Sequence, residues 1–149
     1  MVYQLPIESK IRFVEHDSTK KDGMKTIPIF RAIPCGTPNF IDNETQGFVE
    51  IPEKMLGQGE YYILRAKGES MVDAGIADQD LVIIKKQDFA EENQIVVALV
   101  EGEVTLKRVH IDRRKKEIEL LPENKNYSPI IAKECTILGV AVKVIKDLL

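Results

Sequence analysis

Ser70 is the residue whose surroundings most directly raise the question of nucleophilic chemistry. It lies in AKGESMVDAGIADQD, residues 66–80, between an apolar run and a turn rich in small residues. SMVDAG is typical of a single helical turn stopped by Gly75, and the simplest interpretation of a lone serine there is a hydroxyl that caps the turn. A serine nucleophile needs a base to take its proton, and the sequence offers only two histidines, His16 and His110. A Ser-His pair is therefore weakly supported.

Lys107 is the other candidate base, because a lysine that is desolvated among apolar groups loses much of its preference for the charged form. It lies in EVTLKRVHI, where strand alternation places it on one face with Thr105, Val109 and Ile111. That face is unusually apolar for a lysine. The alternative is a lysine that extends from a sheet edge into solvent. The residue alone leaves both interpretations open.

The composition predicts one globular domain. The chain has 149 residues, of which 44% are hydrophobic and 30% charged, enough for a single packed core. No apolar run approaches the roughly 18 residues of a membrane span, and MVYQLPIESK lacks the pattern of a secretory signal, so no membrane contact and a cytoplasmic location are predicted. The net charge of −3 argues against direct nucleic-acid binding. The cationic RVHIDRRKK at 108–116 is interpreted as a solvated hairpin tip.

Cys35 and Cys135 are the two cysteines, far apart in the sequence and without CxxC spacing. This pattern argues against a zinc site and gives little support to a disulfide framework. We therefore predict neither a metal nor a cofactor.

Short apolar runs bounded by turn residues recur from Ile27 to the end of the chain, and they predict an antiparallel, mostly β domain. The predicted strands are IPIFRAI, GFVEIP, YYILRAKG, LVIIKK, QIVVALV, EVTLKRVHI, EIELLP and ILGVAVKVI. EGE at 101–103 is typical of a hairpin turn, and the Val and Ile of the last run favour a strand over a helix. Residues 8–26 lack sustained periodicity, so residues 1–26 are predicted as a flexible arm before a domain at 27–149.

Three ordered motifs resemble those of the self-cleaving domain in the LexA, UmuD and phage-repressor family. They are GESMVDAGIADQDLVII, the lysine of EVTLKRV, and LLPENKNYSPI. The resemblance runs from about Ile27 to the C-terminus and implies the β-clip fold of LexA C-terminal domains, with one short helical turn and an extended N-terminal arm. These peptidases use a Ser-Lys dyad. The resemblance therefore implies Ser70 as nucleophile, Lys107 as general base, and the backbone N–H groups of Ser70 and Met71 as the oxyanion hole.

The resemblance also implies that the substrate is the chain itself. Family members cut an Ala-Gly or Cys-Gly bond upstream of the serine, and AIPCGTPNF places Cys35–Gly36 at a matching distance, within the segment 32–38. Small residues suit a bond that must enter a closed site, and Pro34 and Pro38 remove two N–H donors that would otherwise hold the segment in a sheet. A surface loop rich in Pro and Gly is the alternative for this stretch.

Two features depart from the family pattern. Gln79 stands where the family usually has glycine, so we expect a turn with positive φ and local strain there. LexA and phage repressors carry a helix-turn-helix domain before the cleavage site, and we expect the residues before Cys35 to be too few to form one.

The resemblance leaves two functions open. An arm, a Cys-Gly bond and a dyad domain are similar to UmuD-like proteins, which implies self-cleavage stimulated by RecA filaments and a role as a dimeric regulatory subunit of a translesion polymerase. The alternative is the dimerisation and self-cleavage domain of a LexA-like or prophage repressor, with a DNA-binding domain fused or separate. ILGVAVKVI is the candidate homodimer contact. A signal peptidase shares the Ser-Lys chemistry but has a membrane anchor, for which the sequence offers no candidate.

Overall fold

Runs rich in Val, Ile and Tyr form the strands of this chain, as the packing of such side chains on a pleated surface favours. The computed structural model describes residues 12–14, 23–30 and 45–148. That part contains ten strands: β1 Arg12–Val14, β2 Met24–Phe30, β3 Thr45–Pro52, β4 Tyr61–Arg65, β5 Leu81–Lys85, β6 Ile95–Val100, β7 Glu103–Asp112, β8 Glu117–Leu121, β9 Ile130–Ala132 and β10 Thr136–Ile145.

The strands form one sheet in the order β1-β3-β2-β4-β5-β10-β6-β7-β8-β9. Neighbouring strands pair antiparallel except β2 and β4, which run parallel. β7 carries Lys107 and pairs with β6 on one side and β8 on the other. Lys107 pairs with Val96 of β6, and the pairing with β8 begins at the next residue, Arg108, so neighbouring strands hold the backbone at Lys107.

The mostly β, antiparallel fold predicted from the sequence is confirmed. Each of the eight predicted runs contains a strand, including the C-terminal run that forms β10. The predicted hairpin between β6 and β7 turns at Glu101 and Gly102, whose φ values of 51° and 81° are typical of a tight hairpin. β1 and β9 were not predicted, because three residues carry too little alternation to be recognised. β1 lies within the predicted arm and pairs with β3.

Helical structure in the described residues is limited to two 3₁₀ turns, Glu53–Met55 and Val72–Ala74. The second is the helical turn predicted from SMVDAG, and it ends at Gly75 with φ of 83°, a conformation that glycine adopts without strain. No helix in the ranges described is long and apolar enough to cross a membrane.

The turn that carries Ser70 is anchored in the core by the residue after it. Met71 is only 3% exposed and packs in a cluster that includes Tyr62, Leu64, Ile76 and Val82. Burying a methionine side chain contributes about 1.5–3 kcal/mol. Ser70 itself stays partly exposed above this anchor.

Gln79 adopts the left-handed backbone conformation that its place in the family pattern led us to expect, with φ of 72°. Its N–H donates to the carbonyl of Ala66 at 2.8 Å, and the preceding Asp78 accepts from the N–H of Gly68 at 2.7 Å. These bonds join the 76–80 turn to the segment leading into Ser70. The turn geometry is thus kept although the residue is not glycine, and the strain stays in the folded chain.

Gln79→Gly is expected to raise the free energy of unfolding by about 0.5–1 kcal/mol, because relief of the left-handed strain exceeds the entropy that glycine adds to the unfolded chain. Urea unfolding of the two proteins measures the difference. Lys133→Gly is the control, since Lys133 is exposed and lies outside the positive-φ region. We expect that control to lose stability; equal losses in both variants would contradict stored strain at Gln79.

Candidate active site

Ser70 lies between β4 and the 3₁₀ turn Val72–Ala74. The residue at the N-terminal boundary of that turn is Met71, and no side chain caps it. The interpretation of Ser70 as a helix cap is therefore wrong. Its hydroxyl is instead directed at a side chain from a distant strand.

Lys107 approaches Ser70 from β7. Its Nζ lies 2.9 Å from Oγ of Ser70, 2.7 Å from Oγ1 of Thr105 and 3.1 Å from the carbonyl oxygen of Leu106. These are hydrogen-bonding distances in a partly buried setting. The structure thus brings together the two residues that the sequence proposed as nucleophile and base.

Burial lowers the pKa of Lys107, because desolvation disfavours the charged ammonium form. Within the described residues, no carboxylate forms an ion pair with it. A neutral Lys107 can donate its two N–H bonds to Thr105 and Leu106, which leaves the lone pair facing the Ser70 hydroxyl. The arrangement can therefore take a proton from Ser70.

Thr105 is a site residue that sequence reasoning missed. Its hydroxyl accepts from Lys107 across two positions of the same strand. The sequence contained a signal for Thr105, because strand alternation places it on the same face as Lys107. Strand periodicity gives the shared face but not the hydrogen bond, so no role followed from it.

A cleft of about 320 Å³ contains both Ser70 and Lys107 in its lining. Its apolar lining comes from Leu64, Ala66, Met71, Ile76, Val104 and Leu106. Such walls exclude water when an extended segment fills the cleft, which strengthens polar interactions inside it and favours the neutral lysine.

The backbone beside Ser70 offers two donors. Within the described residues, the N–H groups of Ser70 and Met71 donate to no backbone or side-chain acceptor. Both residues line the cleft. Unused N–H groups beside a hydroxyl are the kind of donors that stabilise an oxyanion.

The other candidate residues lie away from Ser70 or outside the described part. His110 is exposed and its Nδ1 lies 2.8 Å from Glu92, a contact that raises its pKa, so it does not serve Ser70. His16 and the predicted scissile pair Cys35–Gly36 lie outside the described residues. Cys135 is free and partly buried, and burial raises the pKa of its thiol. No group of side chains suited to a metal occurs in the part that the structure describes.

Comparison with known proteins decides the family. Residues 28–142 match the Peptidase S24-like family. The chain belongs to this family. The matched residues include Ser70 and Lys107, and membership indicates a serine peptidase of the self-cleaving, LexA-like type.

Relatives of this Peptidase S24-like chain include several LexA repressors. It is 40% identical over 139 residues to the LexA repressor of Clostridium kluyveri. The aligned region covers 85% of this chain and 68% of the relative. The LexA repressor of Corynebacterium efficiens is 38% identical, with coverage of 82% and 52%, and that of Caldicellulosiruptor saccharolyticus is 35% identical, with coverage of 91% and 66%. The chain thus spans between about half and two thirds of the length of these relatives.

Proposed function

We propose that this chain is the self-cleaving domain of a LexA-like repressor, and that it cuts its own Cys35–Gly36 bond with Ser70 as nucleophile and Lys107 as general base. The observation that carries the proposal is the 2.9 Å distance between Nζ of Lys107 and Oγ of Ser70 in an apolar cleft. A desolvated lysine beside a serine is an arrangement that activates an alcohol at moderate pH.

The reaction proceeds in two stages. Oγ of Ser70 attacks the carbonyl carbon of Cys35 while neutral Lys107 takes the hydroxyl proton. The tetrahedral intermediate collapses, the bond to the Gly36 nitrogen breaks, and the lysine returns its proton to the departing amine. Water then attacks the acyl-enzyme with Lys107 again as base, which releases a chain that ends at Cys35 and restores Ser70.

The negative charge of the intermediate develops on the carbonyl oxygen of Cys35. The N–H groups of Ser70 and Met71 are the proposed donors for this oxygen, since they line the cleft and have no acceptor among the described residues. Donors fixed before the reaction stabilise the transition state without reorganisation.

Cleavage within one chain is energetically accessible. Closing a loop of about 34 residues costs on the order of 3 kcal/mol by chain-entropy scaling. A tethered segment is then present at a high effective concentration, an advantage that a separate peptide lacks.

The names of the relatives favour a repressor over a polymerase subunit as the wider role, because each of the relatives described above is a LexA repressor. In this proposal RecA filaments stimulate cleavage, and the loss of the connection to a DNA-binding domain relieves repression. None of these three relatives is named as a UmuD-like protein.

Self-association through β10 is part of the proposal. Val142 and Val144 are 43% and 37% exposed on this strand. β6 pairs with β10 only at Thr136–Val140, so residues 141–145 have no partner strand on that side among the described residues. A half-paired strand with exposed valines is suited to contact a second copy.

Intact-mass spectrometry of the purified protein tests the proposal, with and without RecA, ATP and single-stranded DNA. We expect two fragments that meet between Cys35 and Gly36, and none from Ser70→Ala. An unchanged mass under all conditions would show that the fold serves only as a binding platform.

The self-cleavage rate is expected to rise about tenfold per pH unit while Lys107 is mostly protonated, and to level off above its pKa. The neutral amine is the active base, so deprotonation increases the rate. Because burial lowers this pKa, the levelling should occur below the pH at which an exposed lysine titrates. Fragment formation measured at a series of pH values provides the test, and a rate that stays flat from neutral pH to pH 10 would count against Lys107 as the base.

A further inference from the structure

The segment after β8 packs against the turn that carries Ser70. Nδ2 of Asn124 donates to the carbonyl oxygen of Glu69 at 2.9 Å. The N–H of Glu123 donates to the carbonyl oxygen of Ser70 at 2.7 Å, and the carbonyl of Glu123 accepts from the N–H of Asp73 at 2.8 Å. Three hydrogen bonds thus connect two residues of this segment to both sides of Ser70.

The first two of these bonds determine how the peptide planes at Ser70 are oriented. The carbonyl of Glu69 and the N–H of Ser70 belong to one peptide unit, and the carbonyl of Ser70 and the N–H of Met71 belong to the next. The described chain contains no cis peptide bond, so each N–H points opposite to its carbonyl. With both carbonyls held by 123–124, both N–H groups face away from that segment, and Ser70 and Met71 line the cleft.

The side chain of Asn124 is itself fixed. Its Oδ1 accepts from the N–H of Asn126 at 3.0 Å, and the backbone carbonyl oxygen of Asn124 accepts from the N–H of Tyr127 at 3.1 Å. With the oxygen of the amide occupied, the nitrogen is directed at Glu69. Among the described residues, the Glu69 carbonyl accepts one other hydrogen bond, from the N–H of Val72, and this bond is longer at 3.3 Å.

The neighbouring Glu123 connects the same segment to β7. Its carboxylate forms an ion pair with Arg108, the residue after Lys107, and Arg108 also donates to the carbonyl of Asn93 at 2.7 Å. The segment therefore contacts the strand of the base and the turn of the nucleophile together.

We infer that Asn124 is a positioning residue that aims the Ser70 N–H, and through the adjoining peptide the Met71 N–H, at the carbonyl oxygen of the scissile bond. This inference rests on the function proposed above. Asn124 acts through the Glu69 peptide and does not contact the reacting atoms.

Asn124→Ser separates this role from a role in folding. Serine retains an oxygen that can accept from the N–H of Asn126, is uncharged, and has no donor that reaches Glu69. Asn126→Ser is the matched control, because Asn126 is exposed and its side chain has no hydrogen-bond partner among the described residues. Thermal unfolding of both variants monitors folding.

The first measurement is the carbonyl ¹³C shift of Glu69 and the amide shifts of Ser70 and Met71, recorded well below the pH midpoint of the self-cleavage profile, where the reaction is slow. The second is the self-cleavage rate against pH. We expect Asn124→Ser to move these resonances and to lower the rate at its high-pH plateau by about 10- to 100-fold, less than the loss of a whole oxyanion donor. The pH midpoint should not change, and Asn126→Ser should match the wild type in both measurements.

Unmoved resonances in Asn124→Ser would overturn the positioning of the Glu69 peptide. Moved resonances with a wild-type plateau rate would overturn its effect on the reaction. A shifted pH midpoint would mean that Asn124 acts through Lys107 instead. If the resonances move in Asn124→Ser but the wild-type protein never cleaves, the proposed function would be overturned and, with it, the role of Asn124 in the reaction. The contact of Asn124 with Glu69 would stand.

Discussion

Lys107→Ala is expected to lower the rate of self-cleavage by about 10³-fold or more, because loss of a general base costs typically 10²–10⁴-fold and the described residues offer the alcohol no other partner to take its proton. The structure places Nζ of Lys107 at 2.9 Å from Oγ of Ser70, while His110, the histidine within the described residues, is occupied by Glu92. Time courses of intact mass at the plateau pH of the wild type give the rates.

Lys107→Arg distinguishes the loss of a base from the loss of packing. Arginine retains a long stem and N–H donors for Thr105 and Leu106, but it does not lose its charge at any accessible pH. We therefore expect it to be as inactive as Lys107→Ala. Lys115→Ala removes an exposed lysine from the β7–β8 turn and should cleave at the wild-type rate. Cleavage by Lys107→Arg that follows the wild-type pH profile would contradict the assignment of the base.

Gly139→Ala is expected to lower the free energy of unfolding by about 3 kcal/mol, at the upper end of the usual cost of overpacking. A Cβ at Gly139 would overlap Cγ2 of Ile84, and it would lie 2.7 Å from the carbonyl oxygen of Lys85 and 3.1 Å from the hydroxyl of Tyr62. The Lys85 oxygen belongs to the backbone of a paired strand and cannot move aside. Chemical denaturation measures the effect.

Gly57→Ala is the control for the general effect of adding a methyl group. Within the described part of the chain, a Cβ there meets only the Tyr61 hydroxyl, at an ordinary distance of 3.4 Å. We expect its stability to stay within about 0.5 kcal/mol of the wild type. If Gly139→Ala were as stable as this control, β10 would not pack against β5 as closely as the structure shows.

The contact at Gly139 illustrates what the sequence could not provide. ILGVAVKVI predicts a strand whether or not it contains a glycine, because the pattern depends on the apolar residues around it. The need for glycine arises only when β10 lies against β5, a strand more than fifty residues earlier in the chain. Neither the position of β10 between β5 and β6 nor the close approach follows from local propensity.

The Ser70 turn also shows which features a local sequence pattern predicts and which require the assembled sheet. Local pattern predicted the helical turn and its end at Gly75, and both are confirmed. Local pattern also favoured a capping role for the hydroxyl, which is wrong, because the hydroxyl is in contact with a lysine from another strand. A cap is decided within four residues, whereas the contact with Lys107 requires the assembled sheet.

By itself the sequence determined the β class, most strands, the strained turn at Gln79 and the pairing of Ser70 with Lys107 through motifs that resemble one family. The β class and the strands depend on side-chain alternation and turn residues, which are local, whereas the turn at Gln79 and the pairing of Ser70 with Lys107 were implied by the resemblance to that family. Only the tertiary structure decided the contact of Thr105 with the lysine, the contact of Asn124 with Glu69 and the burial that lowers the pKa of Lys107. Hydrogen bonds and desolvation depend on which atoms lie within a few ångströms of each other, and that proximity arises only when distant strands pack together.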